Sequence, residues 1–204
     1  LAACASGRAD PPAPSATAAG LCVTRGAIAA DGAVDDPVFR AVAPGSDGDR
    51  AELAFTVRGP TATTVALASG AQRRQLGLKL RAADGCNLIY VMWRSAPTAA
   101  LVVSVKANPG DRTHADCGAR GYREVASRPV PALRSGAAHT LRAAIEGTTL
   151  IAWIDGAEIW RGPLDERALA LRGPAGVRSD NLAWTGRLRT EPSIGAVAAP
   201  CEHA

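Results

Sequence analysis

Two stretches of this chain bring together side chains of types that do chemistry. The first is Leu150–Trp160. Asp155-Gly156 is a two-residue type I′ hairpin signal, because both central positions of that turn need φ > 0. The turn sets a register in which Ile154 faces Ala157, Trp153 faces Glu158, Ala152 faces Ile159 and Ile151 faces Trp160. One face, Leu150, Ala152, Ile154, Ala157 and Ile159, is then uniformly apolar and is expected in a core. The other carries Ile151, Trp153, Glu158 and Trp160. Two indoles beside a carboxylate suit a sugar, whose C–H faces pack on indoles and whose hydroxyls can donate to Glu158. The alternative is that both tryptophans are structural cover for the second side of the sheet.

The second stretch is Lys106–Tyr122, which gathers Arg112, His114 and Asp116 with a lysine, an asparagine, a further Asp, a further Arg and a tyrosine. In an extended conformation His114 and Asp116 share a face. They could grip a polar ligand, act as an acid–base pair or bind a metal. The alternative is a solvated loop in which Asp116 orients His114 or an arginine. Two protein ligands are too few for a metal site, and no Cys-x-x-Cys pair is present, so no metal and no cofactor are expected. Neither a Gly-x-Ser-x-Gly elbow nor a His-Glu-x-x-His helix occurs, and no residue is assigned as catalytic. Arg178, Ser179 and Asp180 are expected in a turn that caps the last strand.

The elements that must position these groups repeat with a period of two. Leu53, Phe55 and Val57 alternate with polar residues. So do Leu76, Leu78 and Leu80, then Leu101, Val103 and Val105, then Leu141, Ala143 and Ile145. Asn87–Trp93 is apolar on both faces, as a central strand would be. Gly or Pro marks most junctions, for example Gly59-Pro60, Asp84-Gly85 and Gly173-Pro174. The one helical candidate, Leu164–Leu171, is short. Trp93 and Trp184 lie among apolar neighbours and are expected in the core. Many short strands with regular turns predict an all-β, antiparallel two-sheet sandwich.

The chain has 204 residues, is 47% hydrophobic and carries a formal charge of +4. Much of the hydrophobic share is alanine, and aromatic residues are only 4% of the chain, so the core is thin and covalent staples are expected. The positive excess is spread along the chain, with no basic stripe interleaved with aromatics, which argues against a nucleic-acid partner. Five cysteines are present. Leu1-Ala2-Ala3-Cys4 resembles the bacterial lipobox, which implies lipidation of Cys4, export, and an envelope location held by a lipid anchor alone. Ala5 after the cysteine favours the outer membrane or cell surface. The remaining Cys22, Cys86, Cys117 and Cys201 read as two disulfides. Cys86–Cys117 and Cys22–Cys201 are the preferred pairing, contributing about 3.7 and about 5 kcal/mol in the loop-entropy model before strain. Residues 1–20, rich in Ala, Pro and Ser, read as a flexible tether, residues 21–190 as one sandwich domain, and residues 191–204 as a tail tied back through Cys201.

Ser135–Leu188 resembles the concanavalin-A-like lectin/glucanase superfamily. The resemblance is carried by His139-Thr140-Leu141-Arg142, by Leu150–Gly156 with its Asp-Gly turn, and by Gly173-Pro174-Ala175-Gly176-Val177 entering a closing strand. It implies a jelly roll of two antiparallel sheets, one of them concave. The glucanase Glu-x-Asp-x-x-Glu string, which sets acid and nucleophile on one strand face, is absent. The sequence therefore predicts a non-catalytic, surface-displayed module that binds a glycan through Trp153, Glu158 and Trp160 or through Arg112, His114 and Asp116. A polysaccharide-active hydrolase or lyase of the same fold, and an envelope lipoprotein with a protein partner, are the alternatives.

Overall fold

Side chains that alternate along a strand can bury one face only if a second sheet covers it. That is the arrangement in the computed structural model, which describes residues 15–16, 20–118 and 121–193. Two seven-stranded antiparallel sheets pack face to face. Sheet A runs in the order β1 (Ser15–Ala16), β14 (Leu182–Pro192), β5 (Ser46–Pro60), β10 (Ala138–Glu146), β11 (Thr149–Ile154) and β12 (Ala157–Pro163), and β3 (Ala33–Val34) also pairs with β14. Sheet B runs β2 (Cys22–Arg25), β4 (Val38–Val42), β13 (Gly176–Asp180), β6 (Arg74–Leu80), β7 (Asn87–Ala96), β8 (Ala100–Ala107) and β9 (Tyr122–Pro129). Two short helices, α1 (His114–Cys117) and α2 (Glu166–Ala170), sit in the connections.

The core lies between the sheets. Leu53, Phe55, Val57, Leu141 and Leu188 from sheet A meet Leu76, Leu78, Val91, Trp93 and Val103 from sheet B, all buried. Each central indole finds an acceptor for its N–H, as a buried tryptophan requires. Trp93 Nε1 donates to the Pro131 carbonyl at 2.9 Å and Trp184 Nε1 to Ser179 Oγ at 3.0 Å. The all-β sandwich, the core places of Trp93 and Trp184 and the two-faced burial of β7 agree with the sequence reading. Cys86 and Cys117 are joined in a disulfide. Cys22 is buried and disulfide-bonded; its expected partner Cys201, like Cys4, lies outside the described residues, as do most of the tether and the tail.

Four local readings change. Ser15–Ala16, placed in the tether, instead forms a two-residue strand on the edge of β14. The β11–β12 hairpin keeps its turn, with Asp155 at φ 50° and Gly156 at φ 81°, and keeps the pairs Ile154–Ala157 and Trp153–Glu158. A bulge then shifts the register so that Ala152 faces Trp160. One extra residue on one strand turns every later side chain to the opposite face. Trp160 therefore points into the core, 8% exposed. Gly162 makes room for it, since a Cβ there would lie 2.3 Å from the indole. Residues 178–180 are not a turn but the buried strand β13, interior to sheet B. The stretch from His114 is helical rather than extended. Asp116 folds back to accept from Thr113 N at 2.9 Å and Thr113 Oγ1 at 2.8 Å, so it caps α1 rather than pairing with His114.

Candidate functional site: the outward face of sheet B

The outward face of sheet B forms the floor of a groove of ≈ 1210 Å³. Strand pairing lays out its side chains. Arg40 on β4 lies beside Arg178 on β13, which faces Gly77 on β6. One row along, Gly176 on β13 faces Lys79 on β6, which faces Tyr90 on β7 and then Ser104 on β8. Asp180 faces Gln75 in the row on the other side. Lys106 on β8 faces Tyr122 on β9 and closes one end.

Two loops wall this floor. The β5–β6 connection is pinned by Asn181, buried and at φ 54°, a left-handed conformation that Asn tolerates better than most residues. Its side chain accepts from Val65 N at 2.7 Å and donates to the carbonyls of Val65 and Arg73 at 2.9 Å each. The opposite wall is the stapled pair of connections around Asp84 and Arg112. Besides the disulfide, Asn87 Nδ2 donates to the Asp111 carbonyl at 2.8 Å and Asn108 Nδ2 to the Cys86 carbonyl at 3.0 Å.

The electrostatics centre on one acid. Asp180, fully buried, accepts from Arg40 Nη2 at 2.5 Å, Arg178 Nε at 2.9 Å and Gln75 Nε2 at 2.7 Å. Burial pushes its carboxyl up, but the charges of Arg178 and Arg40 outweigh this and hold it below the usual carboxylate range. Arg178 Nη1 also donates to Tyr122 Oη at 3.1 Å, and its guanidinium stacks 4.8 Å from the Tyr90 ring centroid. The two tyrosines stack on each other at 5.9 Å. Burial raises the Tyr90 phenol. Burial acts the same way on Tyr122, yet Arg178, followed by Lys106 and Arg40, brings its phenol below the ordinary value. Lys79 is buried beside Arg40 and Arg178. Desolvation, then the two guanidinium charges, lower its ammonium to about 7. At the closed end Lys106 Nζ donates to the Gly85 carbonyl, sits 3.4 Å from His114 Nδ1 and lies 4.7 Å from the Tyr122 ring centroid.

Of the residues singled out from sequence, Arg112 and His114 line this groove. Asp116 does not; it is exposed on the outer side of α1. Trp153 and Glu158 lie together on the outward face of sheet A, the far side of the molecule. There Arg142 stacks over Trp153 at 4.8 Å and Arg161 pairs with Glu158 at 2.9 Å. With Trp160 in the core, the expected two-indole platform is not assembled. Sequence reasoning missed Arg40, Gln75, Tyr90, Arg178 and Asp180. Their signal was present: Val177-Arg178-Ser179-Asp180 and Phe39-Arg40-Ala41 both alternate with period two, which reads as strand once the turn assignment is set aside.

No family model and no curated protein matches the sequence. The shape is more informative. A carbohydrate-binding module, CBM66, from Bacillus subtilis superposes with a TM-score of 0.58 at 13% identity, covering 84% of this chain and 96% of that one. The fold is that of the lectin/glucanase-like jelly rolls. A Crh5 transglycosylase solved in complex with NAG aligns at 14% identity over 89% of this chain and 83% of its own, TM-score 0.51. The galectin LEC-6 of Caenorhabditis elegans aligns at 13% identity over 79% and 97%, TM-score 0.45. At such identities the likeness to this jelly roll is one of fold.

Proposed function

We propose that this chain is a glycan-binding module and that the groove on sheet B, rather than the tryptophan face of sheet A, is its binding surface. The observation that carries the reading is the construction of that groove. Charged and aromatic side chains rise from interior strands, are locked by mutual hydrogen bonds, and stand between two pinned walls. Such a floor is pre-organised, so little side-chain freedom is lost on binding. Polar groups on a rigid scaffold, with the apolar rims of Tyr90, Met92 and Val102 beside them, are what a sugar with hydroxyl edges and C–H faces fits. The fold shared with a carbohydrate-binding module supports the same reading. Binding to a glycan array, lost on Tyr122→Ala and kept on Trp153→Ala, is the expected result. Loss on Trp153→Ala alone would move the site to sheet A.

One observation favours a second reading, slow cleavage of the bound glycan. The lowered Tyr122 phenol, hydrogen-bonded to Arg178, suits a proton acceptor. Shortening of a bound oligosaccharide on prolonged incubation, abolished by Tyr122→Phe, would establish it.

Export and anchoring through Cys4 belong to the same proposal. They are supported by the lipobox-like start and by the Cys86–Cys117 disulfide, a bond that persists in oxidising compartments. Acyl mass on Cys4 in protein from its native host is the expected finding; an unmodified thiol would contradict it.

A further inference from the structure

Among the described residues the buried charged side chains are Lys106 and Asp180, fully enclosed, and Lys79 and Arg178, each 6% exposed, and all four stand on the groove face. Arg40, nearly as deep, adds a fourth cation. Four positive groups therefore share one buried carboxylate. Asp180 is consumed by Arg40 and Arg178. Lys106 is turned toward the Gly85 carbonyl. Among the described residues no side chain or carbonyl accepts a hydrogen bond from Lys79, whose charged neighbours are two further cations. Burying cations beside one another without a counter-charge is costly, and a fold that places them on a pre-organised groove floor leaves the compensating charge to a ligand.

The register shows where that charge would sit. Arg178 lies opposite Gly77, and Lys79 lies opposite Gly176. Neither glycine contributes a side chain between the two cations; Met92 packs against Gly77 and Val42 against Gly176, so the floor there is apolar and close-packed. Resting on the glycan reading above, we propose that the ligand is an anionic glycan whose carboxylate or sulfate group is held between Lys79 and Arg178, with Arg40 behind them. The walls agree in sign. Arg25, Arg73 and Arg112 line the groove, and of the wall acids Asp84 is already engaged by Asn87 and the Cys86 amide. Glu124 faces Ser104, with Ser104 and Tyr90 standing between it and Lys79 across the sheet.

Binding also draws a proton. An anion beside Lys79 favours its ammonium form and lifts its titration above the value near 7 that it has in the empty groove. The groups facing it are Arg40, Arg178, Tyr90 and Tyr122, with Asp180 and Glu124 as the carboxylates and His114 and Lys106 at the closed end. His114 is itself lowered, by burial and then by Lys106, so it too shifts toward its charged form when an anion enters.

The test is isothermal titration calorimetry at pH 7.5 with a panel of probes. The panel holds hexagalacturonate, its fully methyl-esterified form, a chondroitin sulfate hexasaccharide, cellohexaose and a single-stranded DNA dodecamer. The expected result is binding of the galacturonate or the sulfated probe at least tenfold tighter than either neutral glycan. The stronger of the two names the charged group, and net proton uptake appears as a buffer-dependent heat. Lys79→Met should weaken that binding at least tenfold without lowering the melting temperature, so a lost signal cannot be a lost fold. Equal affinity for the acid and its methyl ester overturns the anion assignment while leaving the groove a glycan site. Binding of no glycan, or tighter binding of the DNA than of any glycan, overturns both.

Discussion

The outward faces of the two sheets follow the same alternation in sequence and differ in what covers them. On sheet A, Arg189 meets Glu52 at 3.1 Å and Arg161 meets Glu158 at 2.9 Å, with side chains roughly a third to a half exposed. The charges of these two pairs have opposite partners and water beside them, a situation that contributes about 0–1 kcal/mol per pair. On sheet B, two walls take the same kind of outward-facing residues out of water, and positive groups outnumber the carboxylate they share. A polar residue at an outward strand position is thus a solubility device on one sheet and a binding device on the other. Loops, not strands, decide which.

If that contrast is correct, removing a charge should matter only on sheet B. Asp180→Ala strands two guanidinium groups and should cost about 3–5 kcal/mol, read as a shifted denaturant midpoint. Glu158→Ala, exposed and paired with Arg161 on sheet A, should stay within about 0.5 kcal/mol. Equal effects would erase the distinction.

The hairpin offers the same contrast within one element. Trp160→Ala should cost about 3–5 kcal/mol, because it empties a core site. Trp153→Ala, on the open face under Arg142, should cost about 1 kcal/mol or less. A large loss at Trp153 would mean that sheet A is also covered.

Much of the fold was legible and most of the site was not. Period-two alternation placed β5, β6, β8 and β10 and put Leu53, Leu76, Val103 and Leu141 inside. The Asp155-Gly156 turn set the hairpin up to the bulge. What the alternation could not reveal was the bulge itself, which costs a single residue and leaves no mark in the pattern yet turned Trp160 into the core. Arg178-Ser179-Asp180 read as a turn because a buried arginine and aspartate side by side contradict the usual burial ranking. They are tolerated in β13 because each neutralises the other and because Arg40 and Gln75 complete the set. Of the two candidate carboxylates, Glu158 lies on the far sheet paired with Arg161, and Asp116 was spent on a helix cap whose Thr-x-x-Asp spacing could have been read from sequence.

Reducing the Cys86–Cys117 link should loosen the wall that holds His114 and Arg112. Its 31-residue separation sets an upper estimate of about 3.7 kcal/mol in stability, and ligand affinity should fall along with it. A reduced protein that binds as well as the oxidised one would make that wall dispensable.

A further contrast concerns pH. The folded Lys79 titrates near 7, below its ordinary 10.5. Between those values the unfolded chain holds the extra proton, so stability of the empty protein should rise as pH climbs from about 7 toward about 10. Below about 7 both states are protonated and the burden of the buried ammonium is complete. Lys79→Met should flatten that rise and stabilise most at pH 6–7; an unchanged profile would place Lys79 in contact with water.

The claim that the groove on sheet B is the binding surface is tested most directly by following backbone amide NMR shifts during titration with a glycan that binds. The account predicts that the largest shifts fall on β13, β6 and β7 around Arg178, Lys79 and Tyr90, and on the wall at Arg112–His114, with β11 silent. Shifts centred on Trp153 and Arg142, with β13 and β6 unmoved, would contradict it.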